Sequence, residues 1–209
     1  MANPPRPDPA GNVAFFRNMN LGQARSRSPR SVALVDAFTA AGAESVTNFQ
    51  TNGTVIFSAA EPAAVIERVR PLLLAATGYS DAVIVRSHAW LAELGPRLDS
   101  GLHGGEVALF DAPEVPALEL PWVDGAGEVA IMELDERHAV TGWAAAGTAH
   151  GSNPTLTRML GVPVTCRGIP TMIRLAARLS LPVDAHEVSG GLPSARVRTR
   201  TVRPSGSTR

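Results

Sequence analysis

Apolar and polar positions change period along the chain, and the changes mark its elements. Residues 13–16 form a short apolar run, which predicts a strand. Residues 17–28 are polar and contain Gly22, so they read as a loop. Ser28-Pro29 has the form of an N-cap followed by proline at the first helical position. Val32, Val35, Phe38 and Thr39 then give helical spacing, with a stop at Gly42. Residues 46–49 and 54–57 flank Asn52-Gly53, a turn dipeptide, and should pair as a hairpin. Glu61-Pro62 opens a second helix with Val65, Ile66, Val69, Leu72 and Leu73 on one face. Pro71 inside it predicts a kink or an early end, and Gly78 a stop. Residues 82–85 are a strand that Arg86 leaves. Strand, helix, strand, strand, helix, strand is the ferredoxin-like order, βαββαβ.

The second half is less regular. Ser87 caps a helix through Trp90, Leu91 and Leu94. Residues 106–110 and 128–134 read as strands, and 138–145 pairs with the latter through Asp135-Glu136-Arg137. Asn153-Pro154 starts a short helix ended by Gly161, and Pro170 begins the last one, with Met172, Ile173, Leu175, Ala176 and Leu179 as its apolar face. Residues 1–11 are proline-rich, and 187–209 hold Gly, Ser, Pro and Arg with little apolar content, so both read as disordered tails. The expected fold class is α+β, with a ferredoxin-like subdomain over 12–86 and a second α/β subdomain over 87–186.

Composition narrows the function classes. With 44% hydrophobic and 18% charged residues among 209, the chain has enough apolar content for a core. Nineteen bases balance nineteen acids, which removes a strongly basic nucleic-acid binder as the default. All the bases are arginine, so no lysine nucleophile or Schiff base is available. Charge is segregated: residues 87–136 carry eleven acids and only Arg97, whereas 137–183 carry five arginines and no acid. A single cysteine, no apolar signal core and no run of about eighteen apolar residues predict a soluble, cytoplasmic protein without a membrane contact. Five scattered histidines lack metal-ligand spacing, so neither a metal nor a cofactor is expected. The pattern sets no oligomeric state.

Several segments resemble a bacterial family catalogued as domain of unknown function 1697. Val13-Ala14-Phe15-Phe16-Arg17-Asn18-Met19-Asn20-Leu21-Gly22 resembles its opening, an apolar strand followed by Arg-Gly-Ile-Asn-Val-Gly. Asn48-Phe49-Gln50-Thr51-Asn52-Gly53-Thr54-Val55-Ile56-Phe57 is similar to its hairpin, Tyr-Ile-Gln-Ser-Gly-Asn-Val-Val-Phe. Val83-Ile84-Val85-Arg86-Ser87 resembles its next strand and arginine. Thr165-Cys166-Arg167-Gly168-Ile169-Pro170-Thr171-Met172-Ile173-Arg174-Leu175 resembles Thr-Thr-Arg-Asn-Trp-Asn-Thr-Val-x-Lys-Leu, with Gly168-Ile169-Pro170 in place of Asn-Trp-Asn. The resemblance covers about residues 12–181. It implies two α/β subdomains, the first ferredoxin-like, and it brings no reaction, substrate or cofactor.

The polar positions retained in these motifs, with the arginines around Ser28-Pro29, give the candidate ligand-binding residues: Arg17, Asn20, Arg27, Arg30, Gly53, Arg167 and Thr171. Helix N-termini and guanidinium forks both favour anions. One reading is therefore an arginine cleft between the subdomains that holds a small anionic or phosphorylated ligand. The other is structural: Arg17 and Arg167 tie the subdomains together through backbone carbonyls and carboxylates. A metal-independent enzyme in the same cleft is an alternative, with Arg17, Asn20 and Arg167 as electrostatic clamps. Its catalytic residue is unknown; Cys166, just before a helix, and His150 are the nominees, and Cys166 also fits an inert core position. Asp135-Glu136 suits a solvated turn better than an acid–base pair. A third reading is sequence-blind nucleic-acid binding through the arginines of residues 196–209. Binding ranks above catalysis because no proton-transfer group or nucleophile is strongly marked.

Overall fold

The computed structural model describes residues 11–23, 26–98, 105–143 and 151–179. The expected tails lie outside these residues except for Gly11, as do Arg25, His103, His150 and His186. The first half runs β1 (Gly11–Phe16), α1 (Ser31–Ala40), β2 (Glu44–Gln50), β3 (Thr54–Ser58), α2 (Pro62–Thr77) and β4 (Val83–Ser87). The four strands form one antiparallel sheet in the order β2-β3-β1-β4. After α3 (His88–Leu94) and a 3-10 turn over Gly95–Arg97, the second half adds β5 (Glu106–Leu109), β6 (Trp122–Val123), β7 (Val129–Leu134), β8 (His138–Trp143), α4 (Asn153–Leu160), β9 (Thr165–Gly168) and α5 (Ile169–Leu179). Its five strands form a second antiparallel sheet, β6-β7-β8-β5-β9. The fold is α+β with two sheets.

Strand β1 is apolar at every position from Val13 because both faces of its sheet are covered. Ala14 and Phe16 join Leu34, Phe38, Val55, Phe57, Val69 and Leu73 beneath α1 and α2. Phe38 packs edge-on to Phe16 at 6.0 Å and tilted on Phe57 at 5.1 Å. Val13 and Phe15 point the other way, to Ile84, Leu91, Leu94, Met172, Leu175 and, from the second sheet, Val107, Leu109 and Val140. One apolar layer, filled by α3 and α5, therefore belongs to both sheets. A third cluster, with Phe110, Ile131, Leu156 and Val164, lies on the far side of the second sheet under α4.

Four expectations need correction. Ser28 is not the cap of α1: the N-cap is Arg30, without a side-chain cap bond, and Ser28 Oγ accepts from the Asn20 amide at 2.9 Å. The helix starts two residues later than expected, at Ser31, and its buried face is Leu34, Ala37 and Phe38, while Val32 in its first turn is 71% exposed. Helix α2 runs through Pro71 to Thr77; Pro71 lies on the solvent side, where the carbonyl left without a partner meets water. Cys166 does not precede a helix directly but sits inside β9, a four-residue strand too short to show a period.

Candidate functional site

The chain leaves β1 at the end of the first sheet where α2 delivers it to β4. Arg17 N donates to the Ala82 carbonyl at 2.9 Å and seals that corner. Asn18 takes a left-handed φ of 51°, a conformation its short amide side chain tolerates, and turns its Nδ2 onto Asp81 Oδ2 at 2.7 Å. Asp81 also accepts from the Ala82 amide at 2.7 Å and from Arg17 Nη1 at 3.1 Å. Burial works against its charge, but these three donors outweigh it and hold the carboxyl below its ordinary 3.8. Arg17 also reaches the second sheet, donating through Nε to the Val164 carbonyl at 3.2 Å.

An open pocket of about 390 Å³ occupies this corner, lined by Asn18, Arg27, Gly78, Tyr79, Ser80 and Asp81. Gly78 is the left-handed C-cap of α2, and the Arg27 stem passes 3.9 Å from the place a Cβ on it would take. The carbonyl end of a helix favours a cation there. Among the described residues Arg27 has no carboxylate partner. Tyr79 is 6% exposed; its ring packs on Phe16, and its hydroxyl donates to the Arg17 carbonyl at 2.5 Å. Burial first, then Asp81, push that hydroxyl well above the ordinary phenol value. Arg17, Arg70 and Arg167 act on it in the opposite sense, so arginines outnumber the one carboxylate around this corner.

The seven sequence-predicted residues divide. Arg27 lines the pocket, and Arg17 borders it through its ion pair with Asp81. Asn20 is exposed on the same loop, and Arg30 is exposed at the start of α1. Arg167 lies inside, 5% exposed, with its guanidinium 5.6 Å from the Phe15 ring centre. Its Nε donates to Thr54 Oγ1 at 2.9 Å, and Nη1 to Thr165 Oγ1 at 2.9 Å and to the Cys166 carbonyl at 2.8 Å. Its Nη2 donates to the carbonyls of Phe16 at 3.1 Å and Asn52 at 2.8 Å. Burial lowers its pKa to about 10, which leaves it charged at neutral pH. Gly53 belongs to the same interior joint: its φ is 68°, and a Cβ there would stand 2.8 Å from the Phe16 and Met19 Cβ atoms. Thr171 is elsewhere, on α5, accepting from Arg174 Nη2 at 3.2 Å.

Arg86 is a second buried tie that the sequence pattern marked only as the end of a strand. It is 2% exposed, donates through Nη2 to the carbonyls of Phe110 and Arg137, and pairs with Asp111 at 2.9 Å. Arg167 thus reaches from the second sheet to the first, and Arg86 from the first to the second. Cys166 does not fit a thiolate nucleophile. Burial, then Glu106, push its thiol up to about 12, and Ser152 Oγ lies 3.5 Å away as its neighbour. Asp135 builds the β7–β8 turn, accepting from the Arg137 and His138 amides and from His138 Nδ1 at 2.9 Å. Among the described residues no three His, Cys, Asp or Glu side chains are placed to hold a metal, and no helix is long and apolar enough to cross a membrane.

Asn18, Tyr79, Ser80 and Asp81 were missed. The available signal was topological: a strand-helix-strand-strand-helix-strand order returns the chain after α2 to the end of the sheet that β1 leaves. Residues 78–81 must therefore face residues 17–30.

No curated protein matches the chain. A solved structure described as a conserved bacterial protein from Streptococcus pneumoniae is similar, with a TM-score of 0.54 at 13% identity, over 82% of this chain and 99% of that one. At that identity the likeness is one of fold. Residues 11–97, from β1 through the 3-10 turn after α3, match the model of the family described as a protein of unknown function, DUF1697, the family whose motifs the segments around Arg17 and Gly53 resemble.

Proposed function

We propose that this protein is a binding module for a small anionic ligand, held at the corner where β1 leaves the first sheet. The supporting observation is Arg27, on the wall of an open pocket: among the described residues its guanidinium has no carboxylate partner, and the one acid in the lining, Asp81, is already paired with Arg17. Residues 12–35 contribute four arginines and no acid, so the local field attracts anions. The pocket volume lies within the range of small-molecule sites. Arg17 borders the pocket through its pair with Asp81, and Asn20 and Arg30 are exposed on the same loop and at the start of α1. Arg167 and Gly53 support it from beneath by fixing the end of β1 against the β2–β3 turn. The test is a thermal-shift series with inorganic phosphate, sulfate and phosphorylated metabolites on wild type and Arg27→Ala. A ligand at about 100 times its Kd adds about 2.7 kcal/mol to the folded state. Wild type should be raised and Arg27→Ala should not. If no anion shifts wild type, or the variant keeps the full shift, the reading fails.

A further inference from the structure

The chemistry of the pocket walls narrows the ligand, an inference that rests on the anion-binding reading above. Asp81 offers little to a ligand because both of its oxygens already accept hydrogen bonds, from Arg17, Asn18 and the Ala82 amide. Three polar groups remain. They are the Arg27 guanidinium, the Ser80 hydroxyl and the Asn18 side-chain carbonyl, all on exposed residues lining the pocket. None of the three has a hydrogen-bond partner among the described residues. One cation flanked by a hydroxyl and an amide carbonyl suits an anion that carries hydroxyl groups of its own: the guanidinium takes the anionic oxygens in a fork, and the neutral groups exchange hydrogen bonds with hydroxyls.

Apart from the Arg27 guanidinium, which the phosphate takes, an aromatic base finds no flat surface to stack on among the described residues. Among the described residues Tyr79 is the only aromatic one in the lining, and its ring is buried against Phe16 with its hydroxyl bonded to the Arg17 carbonyl. Gly78 offers no side chain, and among the described residues no aliphatic side chain lines the pocket. Nucleotide sites usually provide a stacking or apolar surface for the base. We infer that the ligand is a sugar phosphate or a similarly phosphorylated polyol rather than a nucleotide, bound with its phosphate on Arg27 and its hydroxyls toward Ser80 and Asn18.

Titration calorimetry with inorganic phosphate, ribose 5-phosphate, ribose and AMP tests this on the full chain. Ribose 5-phosphate should bind about tenfold or more tighter than inorganic phosphate, since the hydroxyl contacts add to the anion contact. AMP should bind no tighter than ribose 5-phosphate, and ribose alone should not register. Ser80→Ala, on an exposed side chain, should bring ribose 5-phosphate down toward phosphate while leaving phosphate unchanged. If phosphate and ribose 5-phosphate bind equally, the anion site stands and the polyol inference is overturned. An AMP affinity about tenfold above that of ribose 5-phosphate would overturn it too, by showing that a base is recognised. If neither phosphate nor any phosphate ester binds, the anion-binding reading itself is wrong, and the inference goes with it.

Discussion

The joint between the two sheets and the corner where β1 ends use the same residue type for opposite ends. At the joint, Arg167 and Arg86 are buried, and their terminal nitrogens donate to backbone carbonyls: those of Phe16 and Asn52 for the one, Phe110 and Arg137 for the other. At the corner, Arg27 is exposed and has no carboxylate partner among the described residues. A guanidinium has five donors in a fixed fork, so it either completes an irregular set of carbonyls or meets an anion from solution. Its surroundings decide which. Arg17 stands between the two situations, paired with Asp81 at the pocket and bonded to Val164 in the second sheet.

Removing the joint should have the largest effect. Arg167→Ala leaves several buried acceptors unsatisfied together, and we expect a loss of more than about 3 kcal/mol in chemical denaturation. A loss under about 1 kcal/mol would show that water replaces the guanidinium and that the joint is not buried. Arg86→Ala should cost somewhat less, about 2–3 kcal/mol, because its partner Asp111 is largely exposed and is rehydrated easily. Equal costs for the two variants would mean that the exposed partner makes no difference.

Tyr79→Phe removes one hydrogen bond to the Arg17 carbonyl and keeps the ring against Phe16. About 1 kcal/mol is expected in the same experiment. Asp81 gives a pH signature. Its folded pKa lies below the ordinary 3.8, so its contribution is present above that pH and is lost as pH falls through the folded value. Asp81→Asn should flatten that part of the acid-stability profile, and an unchanged profile in the variant would assign the acid sensitivity to other carboxylates. The smallest stability effect belongs to Arg27→Ala, within about 0.5 kcal/mol, as for an exposed side chain with no protein partner. A larger loss would assign Arg27 to the structural frame instead of the proposed binding site.

The period of the pattern was informative wherever an element had one buried face or a marked end. Asn52-Gly53 between two short strand-like segments gave the hairpin, Ser87 gave the cap that accepts from the Trp90 amide, and Gly78 and Gly161 gave the helix stops. Short elements were not legible: β6 has two residues and β9 four, too few to show alternation. The start of α1 was misplaced because a serine before a proline looks like a cap whether or not its hydroxyl is turned toward the helix.

For the site, the sequence by itself determined which charges were available: no lysine, four arginines without an acid in residues 12–35, and a polar loop after an apolar strand. It also favoured arginine at 17 and 167 while leaving open whether these residues bind a ligand or hold the sheets together. Only the tertiary structure gave each arginine its partners. Arg167 sits on a short strand whose neighbours in space, Phe16 and Asn52, are more than a hundred residues away along the chain. Whether a guanidinium meets a carbonyl, a carboxylate or open solvent is fixed by such distant neighbours, and no local pattern records them.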